Sequence, residues 1–344
     1  MKYYKKMING HGDDLYHYNR TILSNFSSNV YNHLDHSILF KKLNRCMQKI
    51  CSYPEPEPIT LEKAFADILH ISAENVCVTN GATEAIYLTA QTYKGKKSAI
   101  WMPTFSEYAD ACRLHQHHIL PFYTIDSLPP ETQLIWICNP NNPTGEARNK
   151  EVLIELIKTN PQKIFIIDQS YEMFTLQRVF TPKEGVRFPN VILIHSLTKH
   201  YAIPGLRLGY MTASSELLKD IRLQRMPWSV NSLAIEAGFH AIEEQLKPTI
   251  DIPLYLKEKE RLEKALLNTG VVEIWHSDTH FMLIRLRYGK ASALKDYLAN
   301  EHGILIRDAS NFEGLDERFF RIATQTPEEN DQLVEALEQW ITYI

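Results

Sequence analysis

Lys199 and Asp168 are the two side chains whose types and positions best suit covalent chemistry. Lys199 follows an apolar run and precedes Arg207 by eight residues. Partial burial beside that guanidinium would lower the pKa of the lysine amine, and the neutral amine is the form that makes imines. Asp168 ends another apolar run, where an ionised carboxylate is costly without a cation. A protonated pyridine nitrogen is such a cation, and a structural salt bridge or a helix cap is an equal alternative.

Two further loops offer groups that suit a phosphorylated ring. Residues 79–84 lead from a strand into a helix through Gly81, so free N–H groups and the helix dipole suit a phosphate, and Thr83 adds a hydroxyl. By itself this turn is more typical of a plain helix cap. Residues 139–145 contain three asparagines in a proline-stiffened turn, and Asn142 offers an amide to a ring hydroxyl. The alternative interpretation of this loop is a tight connection.

The elements around these loops place them along one edge of a sheet. Runs rich in β-branched residues alternate with segments of helical periodicity, and the predicted strands are 75–79, 98–101, 134–138, 164–167, 191–194 and 208–211. Such alternation predicts a mainly parallel sheet that is covered on both faces. Ligands bind at the carboxyl ends of the strands in open α/β sheets, so the four loops should meet at one site.

Beyond about residue 240 the pattern changes to an α+β unit. It contains a charged amphipathic helix over 255–267, short strands at 280–284, 303–307 and 319–323, and a closing helix over 328–343. We therefore predict an α/β fold with three regions. Residues 1–45 form an N-terminal arm and part of the small domain, residues 46–240 form the large domain, and residues 241–344 form the small C-terminal domain.

Composition and charge argue against several classes of function. The net charge of −4, from 37 basic and 41 acidic side chains, gives no general attraction for nucleic acid. The chain shows no secretion signal and no window as long as a membrane span, so we expect a cytoplasmic protein without a membrane partner. Five scattered cysteines favour reduced, mostly buried thiols. His115, His117 and His118 lack further ligands at metal-binding spacing and predict a solvated helix end, so no metal is expected.

The ordered motifs resemble those of the fold-type-I pyridoxal 5′-phosphate (PLP) aminotransferases. Asn-Pro-Asn-Asn-Pro-Thr-Gly starts at residue 139, Asp-x-x-Tyr starts at Asp168, and Ser-x-Thr-Lys starts at Ser196 and is followed by Gly-x-Arg. The likeness is greatest to the histidinol-phosphate aminotransferase branch. It implies the aspartate-aminotransferase fold, PLP as the cofactor and a large domain that binds it.

The resemblance also implies roles for the residues that match. Lys199 would form the imine with PLP, and Asp168 would pair with the ring nitrogen. Asn142 and Tyr171 would bond the ring oxygen, and Phe105 would stack on the ring. The residues implied at the cofactor phosphate are Ala82, Thr83, Ser196, Thr198 and Arg207, together with Tyr53 from the neighbouring subunit. Lys199, Asp168 and Tyr171 would be the catalytic residues.

Within that branch the chain is most similar to the L-threonine-O-3-phosphate decarboxylases of cobalamin biosynthesis. The matching segments are residues 196–210, 224–234, 304–307 and 314–318, with His11-Gly12 and Phe26-Ser-Ser-Asn29 near the start. Asp13-Asp14 stands where that family more often shows Gly-Asn. The likeness implies that Arg321 receives the substrate carboxylate and that Arg307, His11 and Asn29 complete the substrate site.

Three functions follow as alternatives. The leading one is PLP-dependent decarboxylation of L-threonine O-3-phosphate to 1-amino-2-propanol O-phosphate. The second is an aminotransferase that acts on histidinol phosphate or a related amino acid, because the fold does not determine which bond at Cα breaks. The third is a PLP-binding transcription regulator, whose DNA-binding segment we expect to have no room before residue 40. The extended, proline-rich residues 53–58 cannot easily cover their own subunit's cofactor, which predicts a homodimer.

Overall fold

A computed structural model describes residues 11–247 and 250–343, with side chains through Trp340. Residues 1–10 of the predicted arm, and residues 248, 249 and 344 of the predicted C-terminal domain, lie outside the described residues. The strands in chain order are β1 (Ser24–Asn25), β2 (Val76–Thr79), β3 (Lys97–Trp101), β4 (His118–Phe122), β5 (Leu134–Cys138), β6 (Ile164–Asp168), β7 (Val191–Ser196), β8 (Gly209–Ala213), β9 (Val272–Ile274), β10 (Phe281–Leu286), β11 (Ile304–Leu305), β12 (Arg307–Asp308) and β13 (Phe319–Ala323).

The helices surround these strands. In chain order they are α1 (Ser37–Arg45), α2 (Ile59–Leu69), α3 (Gly81–Thr92), α4 (Ser106–Leu114), α5 (Lys150–Thr159), α6 (Pro182–Gly185), α7 (Leu197–His200), α8 (Ser215–Arg222), α9 (Ser232–Glu243), α10 (Ile252–Asn268), α11 (Ala291–Tyr297) and α12 (Pro327–Tyr343). Among the described residues, no helix combines the length and the apolar character that a membrane crossing needs.

Seven of the described strands form the large sheet, in the order β2-β8-β7-β6-β5-β3-β4. Strand β8 runs antiparallel to β2 and β7, and the other pairings are parallel. Successive side chains of β5 enter different cores, since Trp136 packs with α3 and α4 whereas Ile135 and Ile137 pack with α5. Both faces are therefore covered, which is why the strand reads as a continuous apolar run. The predicted α/β fold with a mainly parallel sheet is confirmed.

A second, smaller sheet accompanies the large one. Its antiparallel strands follow the order β12-β13-β10-β9 and share a core with α10, α11 and α12. The N-terminal segment joins this unit, because β1 pairs with β11 and Phe26 is buried in the same core. The division into domains stays a prediction. Helix α9 runs through residue 240, which favours a boundary between α9 and α10.

The prediction for the histidine run was wrong in part. His115 caps the end of α4, but His117 is buried between Ser98 Oγ and the carbonyl oxygen of Ala90, at 2.8 Å from each. His118 begins β4, which lies at the edge of the sheet. This strand is only partly buried and contains a proline, so its sequence lacks the apolar signal of the central strands.

Candidate active site

A cavity of about 210 Å³ lies where the carboxyl ends of β5, β6 and β7 meet β12 and β13 of the smaller sheet. It contains most of the predicted site residues, namely His11, Ala82, Thr83, Phe105, Asn142, Asp168, Tyr171, Ser196, Thr198, Lys199, Arg207, Arg307 and Arg321. Tyr53 is not among them, since it lies on the surface with 83% of its side chain exposed and packs on Trp228. Asn29 is buried beside the cavity, behind Tyr171.

Lys199 projects into the cavity from α7, the single helical turn that follows β7. Its amine donates to the backbone carbonyl of Ser28, 3.3 Å away. Burial, aided by the positive charges of Arg321 and Arg207, lowers the pKa of Lys199 to about 8. An amine with that pKa is neutral in about a tenth of molecules at neutral pH, far more than an ordinary lysine. A buried amine of lowered pKa suits the nucleophile that the sequence predicts, and the role of Lys199 stays a prediction.

Asp168 ends β6 at the floor of the cavity and is buried. Its Oδ1 accepts hydrogen bonds from the backbone N–H and the hydroxyl of Ser170, and its Oδ2 accepts one from the Tyr108 hydroxyl at 2.8 Å. Burial raises the pKa of Asp168, and these three hydrogen bonds oppose the rise. Among the described residues, no lysine or arginine forms an ion pair with it. A cationic group of a ligand would compensate this carboxylate.

The N-terminus of α3 and the Arg207 side chain form a cradle for an anion. Gly81 has φ +79°, and a Cβ there would stand 2.6 Å from Arg207 Nη2, so the close approach requires glycine. Across the cradle, Ser196 Oγ lies 2.8 Å from Thr198 Oγ1. Free N–H groups at the start of a helix, two hydroxyls and a guanidinium together suit a phosphate.

Arg307 and Arg321 occupy directly opposite positions on the antiparallel strands β12 and β13. Arg321 donates to Asn142 Oδ1 and to the carbonyl oxygen of Ser27, and its buried Nε has no partner. Arg307 donates to the Asp308 carbonyl oxygen and to Asn311 Oδ1. Within the described part of the chain neither guanidinium pairs with a carboxylate, although burial lowers the pKa of each only to about 10. Two buried, unpaired cations form a site for an anionic ligand.

Tyr171 and Asn142 are positioned by residues from other parts of the chain. The Tyr171 hydroxyl accepts a hydrogen bond from Asn29 Nδ2 at 3.2 Å, and burial raises the pKa of Tyr171 to about 12. Because Arg321 donates a hydrogen bond to Asn142 Oδ1, the amide nitrogen of Asn142 remains as a donor for a ring oxygen. Asn29, predicted as a substrate ligand, contacts Tyr171 in this structure, and its role in substrate binding stays a prediction.

Sequence reasoning missed two side chains of the first turn of α4. Tyr108 donates to Asp168, and Glu107 lies 3.1 Å from the His11 ring nitrogen Nε2. Both follow Phe105 closely, and Tyr108 comes three positions after it, which is one helical turn. The spacing indicates that Tyr108 lies on the same side of the helix as Phe105. It does not show that Tyr108 contacts Asp168 or that Glu107 contacts His11.

These observations fit PLP. A buried, uncompensated carboxylate suits the protonated ring nitrogen, and a largely buried amine of lowered pKa suits the cofactor's aldehyde. The cradle that a Cβ at Gly81 would block suits its phosphate.

The family model described as "Aminotransferase class I and II" matches residues 21–337. The chain belongs to this family. Among solved structures, L-threonine-O-3-phosphate decarboxylase from Porphyromonas gingivalis matches this aminotransferase-family chain with a TM-score of 0.90 and 36% identity, covering 93% of this chain and 100% of that one. Threonine-phosphate decarboxylase from Salmonella typhimurium is 29% identical over 311 residues, 85% of this chain and 84% of the relative.

Relatives that are named as aminotransferases are nearly as similar to this chain as the decarboxylases are. Histidinol-phosphate aminotransferase from Thermoanaerobacter pseudethanolicus is 30% identical over 308 residues, 83% of this chain and 84% of the relative. Enzymes of the class I and II aminotransferase family depend on PLP, so the predicted family, fold and cofactor are confirmed. The roles of the individual residues stay predictions.

Proposed function

We propose that this enzyme decarboxylates L-threonine O-3-phosphate to 1-amino-2-propanol O-phosphate, as a step of cobalamin biosynthesis. The observation that carries the proposal is the pair of buried arginines, Arg307 and Arg321, which face each other in the Lys199 cavity without a carboxylate partner among the described residues. A substrate with a carboxylate and a phosphate monoester carries about three negative charges near neutral pH. The similarity to the decarboxylases from P. gingivalis and S. typhimurium supports the same substrate.

The proposed mechanism divides the work among residues of the cavity. PLP, when bound, supplies the electron sink for the electron pair that is left at Cα. Asp168 would hold a proton on the ring nitrogen, and Arg321 would bind the substrate carboxylate through its planar fork. Asn142 and Tyr171 would hold the ring oxygen. After CO₂ departs, Lys199 delivers a proton to Cα, which its lowered pKa favours.

The second candidate is an aminotransferase that acts on histidinol phosphate. Two relatives named histidinol-phosphate aminotransferase are 30% identical to this chain. Sequence similarity therefore favours the aminotransferase almost as much as it favours the decarboxylase. The same residues serve both reactions, because Lys199 moves a proton at Cα in each. The two reactions differ in whether the carboxylate or the hydrogen leaves Cα.

Product analysis separates the two candidates. We expect the purified protein with PLP to release CO₂ from L-threonine O-3-phosphate and to form 1-amino-2-propanol O-phosphate. In deuterated water that product should carry one deuterium at the carbon that lost CO₂, since the proton delivered there comes from a group that exchanges with solvent. Histidinol phosphate with 2-oxoglutarate should yield no glutamate. Glutamate formation without CO₂ release would establish the aminotransferase instead.

We also propose that the enzyme is a cytoplasmic homodimer in which Tyr53 reaches the cofactor phosphate of the partner. The surface around Tyr53 exposes large apolar side chains, with Ile50, Tyr53 and Trp228 lining one surface pocket and exposed to 60%, 83% and 49%. An exposed apolar patch of this kind favours an interface.

Mixing two inactive or impaired variants tests this assembly. In a hybrid dimer, the Tyr53→Ala chain supplies Lys199 to one site and the Lys199→Ala chain supplies Tyr53 to the same site. That site has both native residues, so the mixture should be more active than either variant alone. Sedimentation should show a dimer, and cell fractionation should place it in the cytoplasm. Full activity of a monomer at high dilution contradicts the proposal.

A further inference from the structure

Glu107 is a buried carboxylate beside the cavity to which the proposed reaction assigns no role. It lies in the first turn of α4 and is 7% exposed. Its Oε1 is 3.1 Å from His11 Nε2, and its Oε2 accepts a hydrogen bond from the Tyr87 hydroxyl at 2.8 Å. His11 lines the cavity whereas Glu107 does not, so Glu107 meets a ligand there only through His11.

The contact with Glu107 determines what the other nitrogen of His11 does. Among residues 11–247 and 250–343, Nδ1 of His11 has no hydrogen-bond partner, and the ring lies in the cavity 6.4 Å from the Phe105 ring. A neutral imidazole that donates through Nε2–H carries a lone pair on Nδ1, which repels a phosphate oxygen. An imidazolium donates from both nitrogens. Only the charged form can therefore bind Glu107 and a phosphate together.

The charged groups around His11 favour that form. The hydrogen bond to Glu107 raises the pKa of His11, with help from the charges of Glu107 and Asp110, and this outweighs burial and the opposing charge of Arg307. Burial by itself would raise the pKa of Glu107, but the hydrogen bonds from His11 and Tyr87 leave it lowered. Both shifts describe an ion pair between an imidazolium and a carboxylate.

We propose that Glu107 is a positioning residue for substrate recognition, which keeps His11 doubly protonated so that its Nδ1–H donates to the substrate phosphate. Tyr87 fixes the second oxygen of Glu107, and Arg307 completes the anion site. The inference rests on the proposed function, since it takes the substrate to be a phosphate monoester.

A pH window for substrate binding follows. A phosphate monoester becomes a dianion as pH rises through about 6, which strengthens its binding to cations. His11 loses its second proton as pH rises through its raised pKa, so the donor to the phosphate is lost on the alkaline side. Removal of the Glu107 charge should lower the pKa of His11. Substrate affinity should then be lost at a lower pH on the alkaline side.

Glu107→Gln tests the role because it removes the charge and keeps the shape. The pKa of His11, followed by its NMR ring-proton signal and assigned with a His11→Gln variant, should fall. KM for L-threonine O-3-phosphate should rise by up to roughly tenfold just below the His11 pKa measured in the native enzyme and change little about two pH units lower, with kcat nearly constant at both pH values, as for loss of one charge-assisted hydrogen bond. Inhibition by unphosphorylated L-threonine should be unchanged.

A matched control is Glu329→Gln, which removes the carboxylate of another His–Glu pair, His33 with Glu329, away from the cavity. It should leave KM unchanged at both pH values. In a His11→Gln background, Glu107→Gln should add no further rise in KM, because Glu107 acts through His11.

Two outcomes would overturn the inference. An unaltered titration of His11 in Glu107→Gln would show that the carboxylate does not control its protonation. An equal loss of affinity at both pH values, shared by L-threonine, would show that Glu107 only supports the local fold. Failure of the proposed function is seen separately, as absence of CO₂ release from the unmodified enzyme, and the His11 titration does not depend on turnover.

Discussion

Lys199→Ala should lower turnover by at least about 10³-fold, because it removes both the amine that holds the cofactor and the group that delivers a proton to Cα. The native protein should be yellow when purified with its cofactor. Borohydride should then fix the cofactor's mass on the peptide that contains Lys199, and the variant should lose this attachment. Lys199 is the expected site because its pKa is lowered to about 8 inside the cavity.

A second buried lysine provides the control. Lys259 is 6% exposed, but its amine is 3.0 Å from Glu263 and donates to the Ser277 carbonyl oxygen, so it is paired with a carboxylate outside the cavity. Lys259→Met should keep the label on Lys199 and retain turnover. A label on any peptide other than the one with Lys199 would show that the assignment is wrong.

Arg321→Ala should lower kcat/KM severely while the protein stays yellow. The guanidinium is buried and bonds Asn142 and the Ser27 carbonyl oxygen, and no carboxylate of the described chain neutralises it. Loss of a charge-assisted contact to the substrate carboxylate in such a site costs about 2–5 kcal/mol, which is roughly tens-fold to thousands-fold in kcat/KM. Arg321→Lys keeps the charge but not the planar fork, so it should recover only part of the activity.

Arg307→Ala should differ from Arg321→Ala in its kinetic signature. Arg307 lies at the opposite strand position and is assigned to the substrate phosphate, so its loss should chiefly raise KM. Steady-state kinetics on L-threonine O-3-phosphate measure both variants, with the absorbance of the bound cofactor as a check on the site. Arg285→Ala is the matched control, since Arg285 lies on β10 and pairs with Asp316 outside the cavity. Near-normal kcat/KM in both test variants would show that residues other than Arg307 and Arg321 bind the carboxylate and the phosphate of the substrate.

The central strands of the large sheet could be predicted because their burial is complete. Strand β5 was predicted with its observed bounds, since both of its faces pack against helices and every position must be apolar. Strand β4 was missed because it forms one edge of the sheet and carries His118 and Pro121. The predicted strand over 303–307 is split into β11 and β12 at Ile306, which a short apolar run does not reveal.

The site could be predicted as far as its chemistry depends on local pattern. Lys199, Asp168 and Arg207 stand out because each lies just after an apolar strand or within a motif of fixed spacing. The contacts of Tyr108 with Asp168, of Glu107 with His11 and of Asn29 with Tyr171 were not predicted. Tyr108 meets Asp168 across 60 residues and Asn29 meets Tyr171 across 142, so no local spacing reports either contact.

The sequence by itself determined the family, the α/β fold and the cofactor. These properties depend on short motifs and on the burial of single segments, which the order of residues records directly. Only the tertiary structure decided which side chains are paired. The Arg321 guanidinium meets Asn142 across 179 residues. Charge and burial are properties of the assembled neighbourhood, because the free energy of a buried ion depends on every group within a few ångströms of it, whichever part of the chain supplies that group.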